Sequence, residues 1–175
     1  MKRIQIVGSI GSGKTSLGKK LSKKMGIPHF ELDTLFWLPG WKIRPFDEIF
    51  ELAYVQADKP AWIICGNFSF LKHVTLDEAD TIVWLDYPFW VCFWQTLKRA
   101  ISNIVKQKKC CNGNQETFGR LFFSKNSILL WMIRTFKRRN KRYAFLIKDP
   151  MYKDKTFVRL QSHKETAQWF KSIKV

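Results

Sequence analysis

The sequence predicts an α/β domain whose parallel sheet is covered by helices on both faces. Three observations predict it. Apolar runs of strand length alternate with longer segments of helical periodicity. The first run leads directly into a glycine-rich loop and then a helix. The length of 175 residues and the hydrophobic content of 46%, with 15 Phe and 8 Trp, suit one domain with a sizeable core.

Ile4 to Val7 reads as a buried strand, Gly8 to Gly13 as a loop, and Lys14 to Met25 as a helix with Leu17 and Leu21 on one face. Gly26 and Pro28 end that helix. His29 to Leu32 is a second strand, followed by Asp33 and an aromatic loop, Phe36-Trp37-Leu38-Pro39-Gly40-Trp41. Phe46 to Ala57 reads as a helix. Ala61 to Cys65 is a third strand, closed by Gly66-Asn67, and Thr81 to Leu85 a fourth, closed by Asp86. The fourth strand shows no polar alternation, which fits a parallel strand covered on both sides. Pro88 opens a helix to about Lys106. Lys108 to Thr117 reads as a loop, Phe118 to Lys141 as a long helix, Thr156 to Leu160 as the last strand and Lys164 to Ile173 as the last helix.

The chain carries 31 basic and 14 acidic residues, a formal charge of +17. Such a balance favours anionic partners: nucleotide phosphate, nucleic acid or an acidic membrane surface. No signal peptide is read at Met1-Lys2-Arg3, so a cytoplasmic location is expected. The longest apolar stretch, Thr81 to Trp94, is broken by Asp86 and Pro88 and is too short to span a bilayer, so no membrane partner is expected. Cys65, Cys92, Cys110 and Cys111 lack the spacing of a zinc site and are expected to be reduced. The side chains of the adjacent Cys110 and Cys111 are expected to diverge. The oligomeric state is not readable.

Gly8-Ser9-Ile10-Gly11-Ser12-Gly13-Lys14-Thr15 matches glycine, any four residues, then Gly-Lys-Ser/Thr, at every fixed position and between a predicted strand and helix. Glycines let the backbone wrap an oxyanion, and successive N–H groups converge on it. The helix N-terminus adds partial positive charge. These residues, with Ser16 in the first helical turn, are expected to hold the phosphates of ATP. Lys14 would reach the β- and γ-phosphates, and the Thr15 hydroxyl would ligate Mg²⁺. Asp33 and Asp86 each end a predicted strand, at the sheet edge where ligands gather. Asp33 would hold metal or take a proton from an acceptor hydroxyl. Asp86 would serve the metal or orient loops.

Leu32-Asp33, Trp37-Leu38-Pro39-Gly40-Trp41, Trp62-Ile63-Ile64-Cys65-Gly66-Asn67 and Ala79-Asp80-Thr81-Ile82-Val83-Trp84-Leu85-Asp86 together resemble the adenylate-kinase-related family often labelled DNA topology modulation proteins. The resemblance runs over nearly the whole chain. It implies a three-layer P-loop fold of the nucleoside and nucleotide kinase type, with five parallel strands in the order 2-3-1-4-5. It also implies a small mobile lid, inserted at residues 107–120 of a single domain spanning 1–175. In such a fold an arginine on the helix entering the lid bears on the transferring phosphate; Arg99 stands there, and Gln95 stands one turn earlier where related chains carry another arginine. Arg120 follows the lid loop. Arg134, Arg138 and Arg142 recur every four residues and form either a phosphate-facing stripe or a solvated basic face.

Trp37 and Trp41 either stack on an acceptor or plug the core over the second strand. Gly66-Asn67 resembles an acceptor-side turn, or is an ordinary Asx turn. Two functional readings follow. One is a Mg²⁺-dependent kinase passing the ATP γ-phosphoryl to a small nucleoside- or nucleotide-like acceptor, with Lys14, Asp33 and Arg99 catalytic and Trp37, Trp41, Gly66 and Asn67 framing the acceptor. The other is a nucleic-acid-associated P-loop ATPase, or a nucleotide-binding regulator.

Overall fold

The computed structural model describes residues 1–124 and 127–174. Its centre is a five-stranded sheet of β1 (Arg3–Gly8), β2 (His29–Glu31), β5 (Trp62–Cys65), β6 (Thr81–Leu85) and β9 (Thr156–Leu160). The order across the sheet is β2-β5-β1-β6-β9 and every pairing is parallel. Counting sheet strands alone this is 2-3-1-4-5, as expected. Two two-stranded antiparallel ribbons lie outside it: β3 (Trp37–Leu38) with β4 (Lys42–Ile43), and β7 (Lys109–Cys110) with β8 (Asn114–Gln115).

The central strands are largely apolar because each face of the sheet has its own core. Val7, Trp62, Ile64, Ile82 and Trp84 point to one side, where α3 (Phe46–Ala57), α4 (Lys72–Thr75) and the end of α6 (Ile128–Leu146) cover them. Ile4, Ile6, Ile63, Cys65, Val83 and Leu85 point to the other. There they meet α1 (Lys14–Met25), α5 (Phe89–Val105), α7 (His163–Ser172) and Met132 of α6. The alternation along each strand is the pleat itself.

Three expectations change. The aromatic segment after β2 folds into a short helix, α2 (Leu32–Phe36), and then the β3–β4 ribbon. The polar segment before Thr117 is not all loop, since it forms the β7–β8 ribbon. The helix expected over Phe118 to Lys141 is two pieces: a wide single turn at Gly119–Phe123, and α6, which runs on to Leu146. Residues 125 and 126, within that expectation, lie outside the described residues. The break has a local cause. Ser124 is extended, and Ser127 caps α6 by accepting the Leu130 N–H at 3.4 Å while its hydroxyl donates to the Leu121 carbonyl.

Candidate functional site

The glycine loop runs from the end of β1 to the first turn of α1, above the carboxyl ends of the central strands. Its shape is fixed from two sides. A Cβ at Gly11, whose φ is 74°, would strike the Thr96 hydroxyl and lie 2.5 Å from the Cys92 carbonyl, so only glycine lets the loop settle onto α5. On the other side Asn67 grips Gly8 by both backbone groups: its Oδ1 accepts the Gly8 N–H at 3.2 Å, and its Nδ2 donates to the Gly8 carbonyl. Tyr143 of α6 donates to the same Oδ1 at 3.0 Å. Gly66 is needed for packing, because a Cβ there would sit 2.7 Å from the Cβ of Leu32. Gly66 and Asn67, expected to frame an acceptor, are thus placed as supports of the phosphate loop.

Within the loop, Ser12 Oγ is buried and has no protein partner among the described residues. A buried hydroxyl in that state suits a ligand oxygen. Lys14 folds back across its own loop, donating to the Gly8 carbonyl at 3.1 Å and the Ser9 carbonyl at 2.7 Å. Burial pushes its pKa down to about 8; Asp33 opposes the shift, while Arg139 and Arg99 reinforce it. An added anion would reverse the shift.

Thr15 Oγ1 donates to Glu31 Oε2 at 2.9 Å, and Lys19 stands 3.3 Å from the other oxygen of that carboxylate. Glu31 was not among the residues singled out from the sequence. It ends β2 and so faces α1 across the loop. Asp86, expected beside the metal, follows Leu85, the sheet partner of Gly8, and its carboxylate is held by other side chains. Its Oδ2 receives the Arg159 Nε at 2.9 Å and Nη2 at 2.6 Å, and its Oδ1 the Asn140 Nδ2 at 3.1 Å. The carboxylate is committed to tying β6, β9 and α6 together, which is the loop-orienting alternative.

Asp33 lies in the first turn of α2. It keeps contact with solvent but is closely walled by protein, and that enclosure raises its carboxyl pKa; Lys14 opposes the rise, as do Arg99 and Arg139. Lys14 and Asp33 thus act on each other's charge, and Arg99 and Arg139 act on both. Arg99 is exposed, three residues beyond the Thr96 that seats Gly11. Arg139 is half-buried, whereas Arg134 and Arg138 are exposed. A spacing of four picked out the outward face of α6. The inward face carries Leu129, Met132, Thr135, Tyr143 and Leu146. Arg139 falls on that apolar stripe, a signal legible in the sequence.

Phe36 of the aromatic segment packs against the core, and Trp37 meets its ring edge to face at 4.9 Å. Trp37 and Trp41 meet edge to face at 5.5 Å, and the Arg120 guanidinium stands 4.2 Å from the Trp41 ring. The β7–β8 ribbon docks onto them. Asn114, buried, donates to the Leu38 carbonyl at 2.9 Å and accepts the Trp41 N–H at 2.7 Å. The Trp41 indole donates to the Gln115 carbonyl at 3.1 Å, and Asn112 donates to the carbonyls of Thr34 and Trp37.

No protein-family model matches the chain. A shikimate kinase from Flavobacterium psychrophilum is 43% identical over 51 residues, which are 29% of this chain and 28% of that protein. The match thus spans little more than a quarter of the curated relative. Among solved structures, a deoxyadenosine kinase from M. mycoides aligns with a TM-score of 0.54 and 12% identity, over 97% of this chain and 94% of that one. The shikimate kinase of Aquifex aeolicus gives 0.53 and 18%, over 97% and 91%. A gluconokinase from Sinorhizobium meliloti gives 0.52 and 14%, over 97% and 87%. At these identities the likeness shows the fold, an α/β P-loop fold of the kinase type.

Proposed function

We propose that the chain is an ATP-dependent phosphotransferase that moves the γ-phosphoryl group to a hydroxyl of a small acceptor, nucleoside- or nucleotide-like in size. The observation that carries this reading is that Lys14 spans the glycine loop and that Asp33, Arg99 and Arg139 all bear on its charge. Nucleotide binding alone asks for no carboxylate within electrostatic reach of the loop lysine. Phosphoryl transfer to a hydroxyl does, because the attacking oxygen must shed a proton.

The backbone of Gly8 to Gly13, with Ser9, Ile10, Ser12, Thr15 and Ser16, holds the triphosphate, and Lys14 leaves its two carbonyl partners to meet the β- and γ-oxygens. Among the described residues no group of three or more His, Cys, Asp or Glu is placed to hold a metal ion. Mg²⁺ would therefore be shared with the nucleotide phosphates, and the hard oxygens of Thr15 and Glu31 are the donors that fit it. When bound, the ion would neutralise charge on the phosphates. Asp33 takes the proton of the acceptor hydroxyl onto its carboxylate, and its raised pKa strengthens it as a base. Arg99 and Arg139 set positive charge over the transferring group. Trp37 and Trp41 wall the acceptor side, and the β7–β8 ribbon at residues 107–120 is the lid that excludes water. A cytoplasmic setting and kinship with the topology modulation group belong to the same reading.

The test is ATP consumption with Mg²⁺ across nucleosides, nucleoside monophosphates, sugar acids, cyclic hydroxy acids and DNA, with Lys14→Ala as control. Lys14-dependent turnover raised by one small acceptor is the expected result. Turnover indifferent to every small acceptor and raised by DNA would replace this reading with the nucleic-acid-associated ATPase.

A further inference from the structure

The outer side of α5 is apolar and uncovered. Trp90, Trp94, Ile101 and Val105 are separated by four, seven and four residues, so they line one side of the helix. They are 64%, 53%, 38% and 68% exposed. The opposite side, with Cys92, Thr96 and Ala100, is buried and carries the seat of Gly11. Between these sides Leu97 and Ile104 pack with Leu121 and Leu129, which brings the Gly119–Phe123 turn and the start of α6 alongside. Those neighbours add Phe122 and Phe123, and then Leu130 and Ile133, all exposed. A single protein molecule rarely leaves so much contiguous apolar surface to water without a use for it.

The charge is as uneven as the hydrophobicity. Residues 87–148 hold 14 Lys and Arg and a single carboxylate, Glu116, for a net +13 of the chain's +17. Lys98 and Lys106 flank the α5 stripe, Lys108 and Lys109 follow it, and Arg134, Lys137, Arg138 and Lys141 line the outward side of α6; all are exposed.

We propose that this face seats on an anionic lipid bilayer, with the Trp, Phe and aliphatic side chains entering the headgroup region and the Lys and Arg side chains meeting lipid phosphates. The charge selects this occupant. A second copy would bring the same exposed Lys and Arg side chains against their like. Nucleic acid would match the charge but offers nothing to Ile101, Val105 and Ile133, which present no stacking surface. No helix among the described residues is long and apolar enough to cross a membrane, so the contact is a surface one. The α5 face that seats the glycine loop points away from it, so the proposal stands independently of the phosphotransfer reading.

The full chain is mixed with vesicles of phosphatidylcholine, alone or with phosphatidylglycerol. The sedimenting fraction and the Trp emission maximum are then followed over a salt series. Expected are binding only to the phosphatidylglycerol vesicles, a blue shift, and release by salt. Trp90→Ser with Trp94→Ser should weaken partitioning by about tenfold or more, and Lys98→Glu with Lys106→Glu should weaken it as well. Tyr54→Ser with Val55→Ser, exposed on α3, should not. Thermal midpoints matching wild type show that these surface variants fold. Failure to bind phosphatidylglycerol vesicles, equal binding to neutral vesicles, or full binding by the Trp90/Trp94 variant would overturn the proposal. So would a dimer in light scattering that the same variant dissolves, or DNA binding with the same Trp dependence.

Discussion

Tyr143 and Gly8 share one acceptor. The Tyr143 hydroxyl donates to Asn67 Oδ1 at 3.0 Å, and the Gly8 N–H donates to that same oxygen at 3.2 Å. The last long helix is thereby joined to the entry of the phosphate loop through one amide side chain. Asn67→Ala would remove both of its bonds to Gly8, whose carbonyl keeps Lys14, and should destabilise the fold by about 1–3 kcal/mol. Tyr143→Phe removes one bond and should cost about 1 kcal/mol. Urea unfolding with an unchanged slope checks both, and equal stabilities for the two variants would count against the shared-acceptor account.

Under the proposed function, Lys14 makes nucleotide affinity depend on pH. In the free protein its pKa is about 8, and bound phosphate must hold it protonated. Above pH 8 binding therefore requires proton uptake, and the ATP dissociation constant should rise by up to about tenfold per pH unit. Fold stability moves the other way. Between pH 8 and 10.5 the unfolded chain binds more protons at this lysine than the native one, so stability gains from this group as pH rises. Calorimetric titration of ATP across this range, in buffers of different ionisation heat, checks the proton count.

Asp33→Asn should lower kcat by about 10²- to 10⁴-fold while leaving ATP affinity nearly unchanged, if the carboxylate acts as the base. The acid limb of kcat/KM should lie above the ordinary carboxylate value of 3.8, because enclosure raises Asp33. Arg139→Ala should move that limb further up, since Arg139 pulls the pKa down. Arg138→Ala, on the solvent side of the same helix, should leave it in place.

Asn114→Ala should free the β7–β8 ribbon from the aromatic loop, because one buried amide serves both the Leu38 carbonyl and the Trp41 N–H. Faster amide exchange over residues 109–115 and around Trp41, with the central sheet unchanged, is the expected pattern.

Much of this was legible because it rests on local rules. The glycine loop, α1, α3 and β6 follow from periodicity and turn chemistry, and those bounds agree with the structure to the residue for Lys14–Met25, Phe46–Ala57 and Thr81–Leu85. What was not legible depends on partners distant in sequence. Asp86 looks like a free strand-end carboxylate until Arg159, 73 residues on, is folded against it. Asn67 looks like an acceptor group until Gly8 and Tyr143 close around it. Arg139 was hidden by its neighbours. In a run of Lys and Arg the spacing between arginines says less than the apolar residues between them, and Met132 and Tyr143 mark the inward line.

The bonds from Lys14 to Gly8 and Ser9 have a consequence for selectivity. The lysine already spans its loop, so an arriving anion must take it from two carbonyl oxygens. Chloride or another small monovalent ion gains one attraction and would leave two good bonds broken. A polyphosphate repays the exchange several times over, with oxygens for the lysine, the loop N–H groups and the Ser12 hydroxyl together. The lysine's resting position thus works as a threshold on ligand charge, and among salts and short anions only those that engage the loop at several points would cross it.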